Sequence, residues 1–189
     1  RLGFLAKVQK ENIETFLQLI LDKNYTVSKR TLLSIESNPK NDEIKEINFA
    51  LNEISVSRKD TTSMITVETY LNGEYLTSYW ADGLIISTPT GSTGYSLSCG
   101  GPIITPSNAN FVITPIAPHN LNVRPLIVND DVEIRLKVES RVPQYSLSLD
   151  SRLIHMETEV EIVLRKAQFQ ILLVHPNNIS FYETIRQKL

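Results

Sequence analysis

The run from Asp82 to Pro102, DGLIISTPTGSTGYSLSCGGP, gathers the residues of this chain best suited to handling a ligand. An apolar strand at Leu84, Ile85 and Ile86 leads straight into a loop of glycines and hydroxyl side chains. Gly91, Gly94, Gly100 and Gly101 let the backbone come close to a ligand where a side chain would collide. Ser87, Thr88, Thr90, Ser92, Thr93, Ser96 and Ser98 carry hydroxyls that both donate and accept hydrogen bonds. No charged side chain stands between Asp82 and Pro102, so the surface suits a neutral polar ligand better than a bare phosphate. A rigid strand behind such a loop is a common arrangement for a functional site. Composition alone leaves a plain Ser/Gly-rich turn open as the alternative.

A second candidate lies upstream at Asn52-Glu53, an amide and a carboxylate near the end of an apolar run. The amide can read the edge of a base or sugar, and the carboxylate can accept two hydrogen bonds from adjacent sugar hydroxyls. An ordinary strand-end pair is the structural alternative. With an unshifted pKa, Glu53 would be a poor base at neutral pH. Other chemistries fail on spacing. PTGSTGYS lacks the Lys of a phosphate-binding loop, and Gly94-Tyr-Ser-Leu-Ser98 lacks the second glycine of a nucleophile elbow. His119, His155 and His175 stand in no paired-ligand spacing, and a single cysteine makes no zinc knuckle, so no metal site is expected.

The elements that must position these residues are mostly strands. A helix is expected over 11–22, where Ile13, Phe16, Leu17, Ile20 and Leu21 share one face. From Thr26 the period changes to two. In DVEIRLKVES, Val132, Ile134, Leu136 and Val138 alternate with charged residues, the pattern of a half-buried antiparallel strand. Asn72-Gly73 between 63–71 and 74–80 predicts a tight hairpin, since both central residues of that turn need positive φ. Further strands are expected at 31–37, 48–57, 111–117, 145–149, 160–165 and 168–174, with the second interrupted by a corner at Asn52-Glu53. The sum is a mainly β, antiparallel, sandwich-like domain over 26–178 with a few short helices. Residues 179–189 can return to helix, with Ser180 as N-cap and Glu183 three positions later.

Composition sets limits. A chain of 189 residues with 41% apolar content can bury one sizeable core. A net charge of −2 argues against a nucleic-acid partner. The longest apolar segments are too short to span a bilayer as a helix, and no membrane partner is expected. No secretory signal opens the chain, and the lone Cys99 fits a reducing, cytoplasmic setting as a small packing residue. The start at Arg1 without Met suggests an excised or processed piece.

The two site segments, ALNEISVSR and DGLIISTPTGSTGYSLSCGGPI, resemble the signatures of the NAD kinases. The resemblance continues through RLGFL at the start, RPLIV at 124–128, SLDS at 148–151 and LLVHP at 172–176, and so covers nearly the whole chain in order. The family usually has Ala at the positions of Gly94 and Cys99. The likeness is to the bacterial type. It implies transfer of the γ-phosphoryl of ATP, with a divalent metal such as magnesium, to the 2′-hydroxyl of the adenosine ribose of NAD, giving NADP. By the same resemblance Asn52, Glu53, Thr90, Thr93, Gly94 and Tyr95 hold the adenosine side, and Asp82 serves the nicotinamide side. Ala117 and His119 line the pocket, Asp150 and Ser151 belong to a late site segment, and Phe4 packs near the dinucleotide. A turn role for Asp82 and a plain loop role for His119 stay open.

The family's Gly-Gly-Asp-Gly element, which carries its general base and binds phosphate, does not occur in these residues. The expectation is therefore a β-rich, NAD-binding and oligomerising half, with no catalytic residue in this chain and no activity alone. Residues 1–25 and 179–189 would be pieces of a missing N-terminal α/β lobe, and the assembly a homo-oligomer. The alternatives are a lipid-kinase-like relative, disfavoured by so polar a loop, and a catalytically silent nucleotide-binding or oligomerisation module.

Overall fold

The structure, a computed structural model, describes residues 8, 10–46, 48–59, 63–177 and 180–188. Helix α1, Ile13–Leu21, precedes strands β1, Tyr25–Arg30, and β2, Leu33–Asn38. A short α2, Asp42–Lys45, leads to β3, Phe49–Ala50, and β4, Glu53–Arg58. Strands β5, Ile65–Leu71, β6, Glu74–Ala81, and β7, Gly83–Ser87, bring the chain to the loop and to α3, Tyr95–Ser98. Then follow β8, Asn110–Ile116, β9, Leu126–Asn129, β10, Ile134–Glu139, and β11, Gln144–Leu149. The last elements are β12, Arg152–Glu157, β13, Glu161–Lys166, β14, Ile171–Pro176, and α4, Phe181–Lys188.

Two six-stranded sheets form, in the orders β3-β2-β13-β10-β5-β6 and β12-β11-β4-β7-β8-β9, beside a two-stranded ribbon of β1 and β14. The pairings are antiparallel throughout. One core fills the space between the large sheets. Leu33, Ile35, Ile134, Leu136, Ile162 and Leu164 come from the first, and Ile54, Val56, Leu84, Ile86, Phe111 and Leu147 from the second. The alternation foreseen in β10 is present: Ile134, Leu136 and Val138 are buried while Lys137 and Glu139 face water. At the β5–β6 turn, Asn72 and Gly73 sit at φ +50° and +83°, as a tight hairpin requires.

The interruption expected in the strand over 48–57 is present, between β3 and β4, with the corner at Leu51 and Asn52, and with Glu53 already opening β4. Other elements depart from the sequence reading for physical reasons. Strand β12 was not foreseen, because RLIHME does not alternate apolar and polar residue types, although at its sheet edge Leu153, His155 and Glu157 are exposed and Arg152, Ile154 and Met156 are not. The short helices α2 and α3 lack the length for a readable period. Helix α1 leaves Ile13, Leu17, Ile20 and Leu21 exposed, Leu17 at 54%, so the apolar face of that helix is bare. At α4, the Ser180 hydroxyl accepts the Glu183 N–H at 3.0 Å, which is the expected cap.

Candidate functional site

Strand β7 is the base of the site. All five of its residues are buried, so it is covered on both faces: by the core on one side and by α3 on the other. It lies between β4 and β8, and Ser87, where β7 opens into its loop, pairs with Glu53 on one side and Val112 on the other.

The corner at 51–53 is locked to this loop by backbone and hydroxyl contacts. Thr88 donates its N–H to the Asn52 carbonyl at 2.9 Å and its hydroxyl to the Leu51 carbonyl at 2.6 Å. Gly91 donates to the Thr88 hydroxyl at 3.1 Å. A Cβ on Gly91 would lie 2.0 Å from the Asn52 carbonyl oxygen, so only glycine lets the two backbones touch here.

Asp150 holds the corner from the other side. It occupies the tight β11–β12 turn at φ +53°, a conformation Asp tolerates better than most residues. Its carboxylate accepts the backbone N–H groups of Leu51, Asn52 and Glu53 at 3.0, 2.7 and 3.2 Å. Its own N–H donates to the Glu53 carbonyl at 2.9 Å. Both carboxylate oxygens are thus spent on shaping the corner, which makes Asp150 a positioning residue. Ser151, next in the turn, is exposed.

Glu53 is the most perturbed group in the site. Burial, with the nearby Asp150 charge second, pushes its carboxyl up from 4.5 to about 7, and the Tyr95 backbone amide partly offsets the rise. Its Oε2 is buried with no hydrogen-bond partner among the described residues. The sequence reading assumed no shift at Glu53; desolvation, which residue order does not reveal, overturns that. Near neutrality this carboxyl can donate as well as accept. Gly94 lies against it: an added Cβ would approach Oε2 to 2.8 Å.

The hydroxyls of the loop are used differently from the sequence expectation. Ser87, Thr88, Ser92 and Ser96 are fully buried, so they do not offer themselves to a ligand. Ser92 bonds to the Pro89 carbonyl at 2.7 Å, and Ser96 to Thr114 at 2.9 Å. They build the loop. Thr90 is also buried, and the Thr93 hydroxyl turns back to the Thr90 carbonyl at 3.3 Å. Tyr95, at the start of α3, stands 46% exposed beside this wall and offers its ring as an open face. The Cys99 thiol is half-buried, and burial pushes its pKa up, in keeping with a packing role.

A second group gathers at the start of β7. Burial, then the Cys99 and Asp82 charges, raises the Tyr95 hydroxyl, which places Asp82 within electrostatic reach. Asp82 pairs with Arg58 at 3.0 Å and donates its N–H to the Ile116 carbonyl at 2.9 Å. The next residue, Ala117, is held at φ +43°, a strained setting for alanine of the kind that clusters at functional sites. The His119 ring packs on Trp80 with centroids 4.2 Å apart, and Trp80 is 51% exposed. Arg58 and Trp80 are the site-building residues that sequence reasoning did not single out. Thr88 and Gly91 were named there for ligand contact, whereas the structure uses them to lock the corner. Phe4 lies outside the described residues. Among the described residues no cluster of three or more His, Cys, Asp or Glu could hold a metal.

A β-rich domain with a polar corner beside an exposed tyrosine is suited to a nucleotide. The comparisons narrow this. The ATP-NAD kinase C-terminal domain model matches residues 51–176, and the chain belongs to that family. It is 64% identical over all 189 residues to an NAD kinase of Flavobacterium psychrophilum and 61% identical to one of Flavobacterium johnsoniae. It spans 64% of the length of each of these relatives. Among solved structures it resembles yeast NADH kinase complexed with NADH, with a TM-score of 0.88 at 26% identity, over 98% of this chain and 56% of that one. An Archaeoglobus fulgidus NAD kinase in complex with ATP superposes with a TM-score of 0.82 at 26% identity, covering 100% of this chain and 68% of the other.

Proposed function

We propose that this chain is the NAD-binding part of an NAD kinase, a phosphotransferase that phosphorylates the 2′-hydroxyl of the adenosine ribose of NAD with ATP. The observation that carries the reading is the corner where Asn52 and Glu53 are fixed by Asp150 against the Gly91–Tyr95 loop. Such a corner presents an amide, a carboxyl that can donate or accept, and an aromatic face, which together match an adenosine. The relatives named NAD kinase, and solved neighbours holding NADH or ATP, support the same substrate class.

In this reading Tyr95 stacks against the base, and Asn52 and Glu53 take the base edge and the ribose. Thr90, Thr93 and Gly94 wall that pocket. Asp82, Ala117 and His119 serve the nicotinamide end, with Phe4 against the dinucleotide. Asp150 acts through the backbone it holds, and Ser151 flanks it. These residues bind and orient the acceptor. Phosphoryl transfer depends mainly on such positioning and on charge stabilisation around the phosphates. A divalent metal such as magnesium, carried on the phosphates of ATP, would supply charge stabilisation there. The general base lies outside this chain, in a Gly-Gly-Asp-Gly element the sequence does not contain. The working enzyme is a cytoplasmic homo-oligomer, an assembly favoured by the bare apolar face of α1.

Titrating NAD and then ATP into the protein of residues 1–189 tests this. NAD binding without NADP formation is the expected result. NADP formation by these residues alone would refute the division of labour, and binding of neither nucleotide would favour a silent oligomerisation module.

A further inference from the structure

Away from this corner, a cavity of about 590 Å³ opens between the β1–β14 ribbon and the loop at 105–109. Three cations line it, Lys29, Arg30 and Lys166, against a single carboxylate among the described residues, Asp130. That carboxylate is engaged by Lys166 at 2.7 Å. Arg30 is only 6% exposed, and its Nε has no hydrogen-bond partner among the described residues. Burial lowers its pKa, a sign that the cation is held where water does not compensate it. A buried arginine without an anion is costly, so its surroundings should supply one.

The cavity is equipped to hold that anion. Ser28, Lys29 and Arg30, consecutive in β1, all line the cavity. Ser28 is oriented by His175 Nε2 at 2.5 Å, on the partner strand β14. Thr31 and Thr105 add hydroxyls to the wall. Arginine presents a planar fork suited to two oxygens at once, and lysine adds a mobile point charge. Several donors around an excess of positive charge match a tetrahedral oxyanion better than a neutral ligand.

We propose that this cavity is a second binding site, for a phosphate-class oxyanion, held by Arg30 with Lys29 and Ser28. The site is tied to the first one. Thr105 follows Ile104, whose N–H donates to the Ser92 hydroxyl at 3.0 Å while its carbonyl accepts from that hydroxyl at 3.4 Å. An anion that orders the 105–109 wall thereby braces the loop carrying Gly94 and Tyr95. The inference needs no part of the proposed activity, only the cavity and its charges.

Isothermal titration of inorganic phosphate and of pyrophosphate into the full protein tests it, using wild type, Arg30→Met, Lys29→Ala and Asn52→Ala. Wild type should bind. Arg30→Met should weaken binding about tenfold or more, as expected for losing a charge-assisted fork. Lys29 is exposed, so Lys29→Ala leaves folding intact and should weaken binding severalfold. Asn52→Ala should bind like wild type. The proposal is overturned by absence of binding in wild type, or by equal affinity in Lys29→Ala. Loss of binding in Asn52→Ala overturns it too, since the anion would then sit in the nucleotide corner. Phosphate and pyrophosphate binding alike indicates a free-anion site, whereas binding of pyrophosphate alone indicates a site for the linked phosphates of a nucleotide.

Discussion

Glu53→Gln separates the electrostatics of the corner from its shape. The carboxyl of Glu53 is pushed up from 4.5 to about 7 in the folded protein. Below pH 4.5 it is protonated in both folded and unfolded chains, and its contribution to stability is constant. Between 4.5 and about 7 the folded protein keeps the proton that the unfolded chain releases, so stability falls as pH rises. Above about 7 both states are ionised and the full cost of the buried charge is present. A shift of that size corresponds to at most about 3 kcal/mol, and partial solvent access reduces it to about 1–2 kcal/mol.

Glutamine has nearly the same shape and stays neutral, so it lacks this pH dependence. The variant should gain about 1–2 kcal/mol relative to wild type as pH goes from roughly 4.5 to 8. Urea unfolding of both proteins across that range measures the difference directly, because pH effects of other groups cancel between them. A stability difference that does not change with pH, or one that shrinks as pH rises, would refute the claim that burial and the Asp150 charge hold Glu53 protonated.

Gly91→Ala should cost about 3–5 kcal/mol in urea unfolding, since a Cβ 2.0 Å from the Asn52 carbonyl must force two backbones apart and break the Thr88 contacts. Gly73→Ala meets nothing within 4 Å and should lose only about 1 kcal/mol, from its positive φ. Asn52→Ala and Tyr95→Ala should each weaken NAD binding by calorimetry roughly ten- to a hundredfold, whereas Ser107→Ala should leave it unchanged. Replacing Leu17 and Ile20 with Glu should shift light scattering toward smaller species if the bare α1 face joins subunits, and an unchanged mass would count against that assembly.

What was legible in the sequence followed from local chemistry. Alternation in β10, the Asn72-Gly73 turn and the strand-to-loop change after Ile86 each act over a few residues, and the structure contains all three. The division of labour within the site was less visible, because it depends on contacts between residues far apart in the chain. The seven hydroxyls from Ser87 to Ser98 look alike in sequence, yet four are fully buried, and three of these, on Thr88, Ser92 and Ser96, are bonded internally. Asp150 looked like a ligand contact, but the chain brings it against backbone amides about a hundred positions away, at 51–53. The perturbation of Glu53 has the same origin: its neighbours are Asp150 and Tyr95, neither adjacent in sequence. The corner therefore acts as one unit. Asp150 fixes the backbone, that backbone fixes Thr88 and Gly91, and the loop they shape fixes Gly94 and Tyr95 beside the carboxyl. Asp150→Asn tests this chain of dependence. Asparagine accepts the same positive φ, but its amide nitrogen cannot accept the backbone N–H groups that the second carboxylate oxygen received. NAD affinity should then fall even though the altered side chain touches no ligand, and the Glu53 pKa, followed by carboxyl carbon NMR, should drop as the neighbouring charge disappears. Retained affinity with a lowered Glu53 pKa would mean that the corner holds its shape without Asp150, and its positioning role would have to be abandoned.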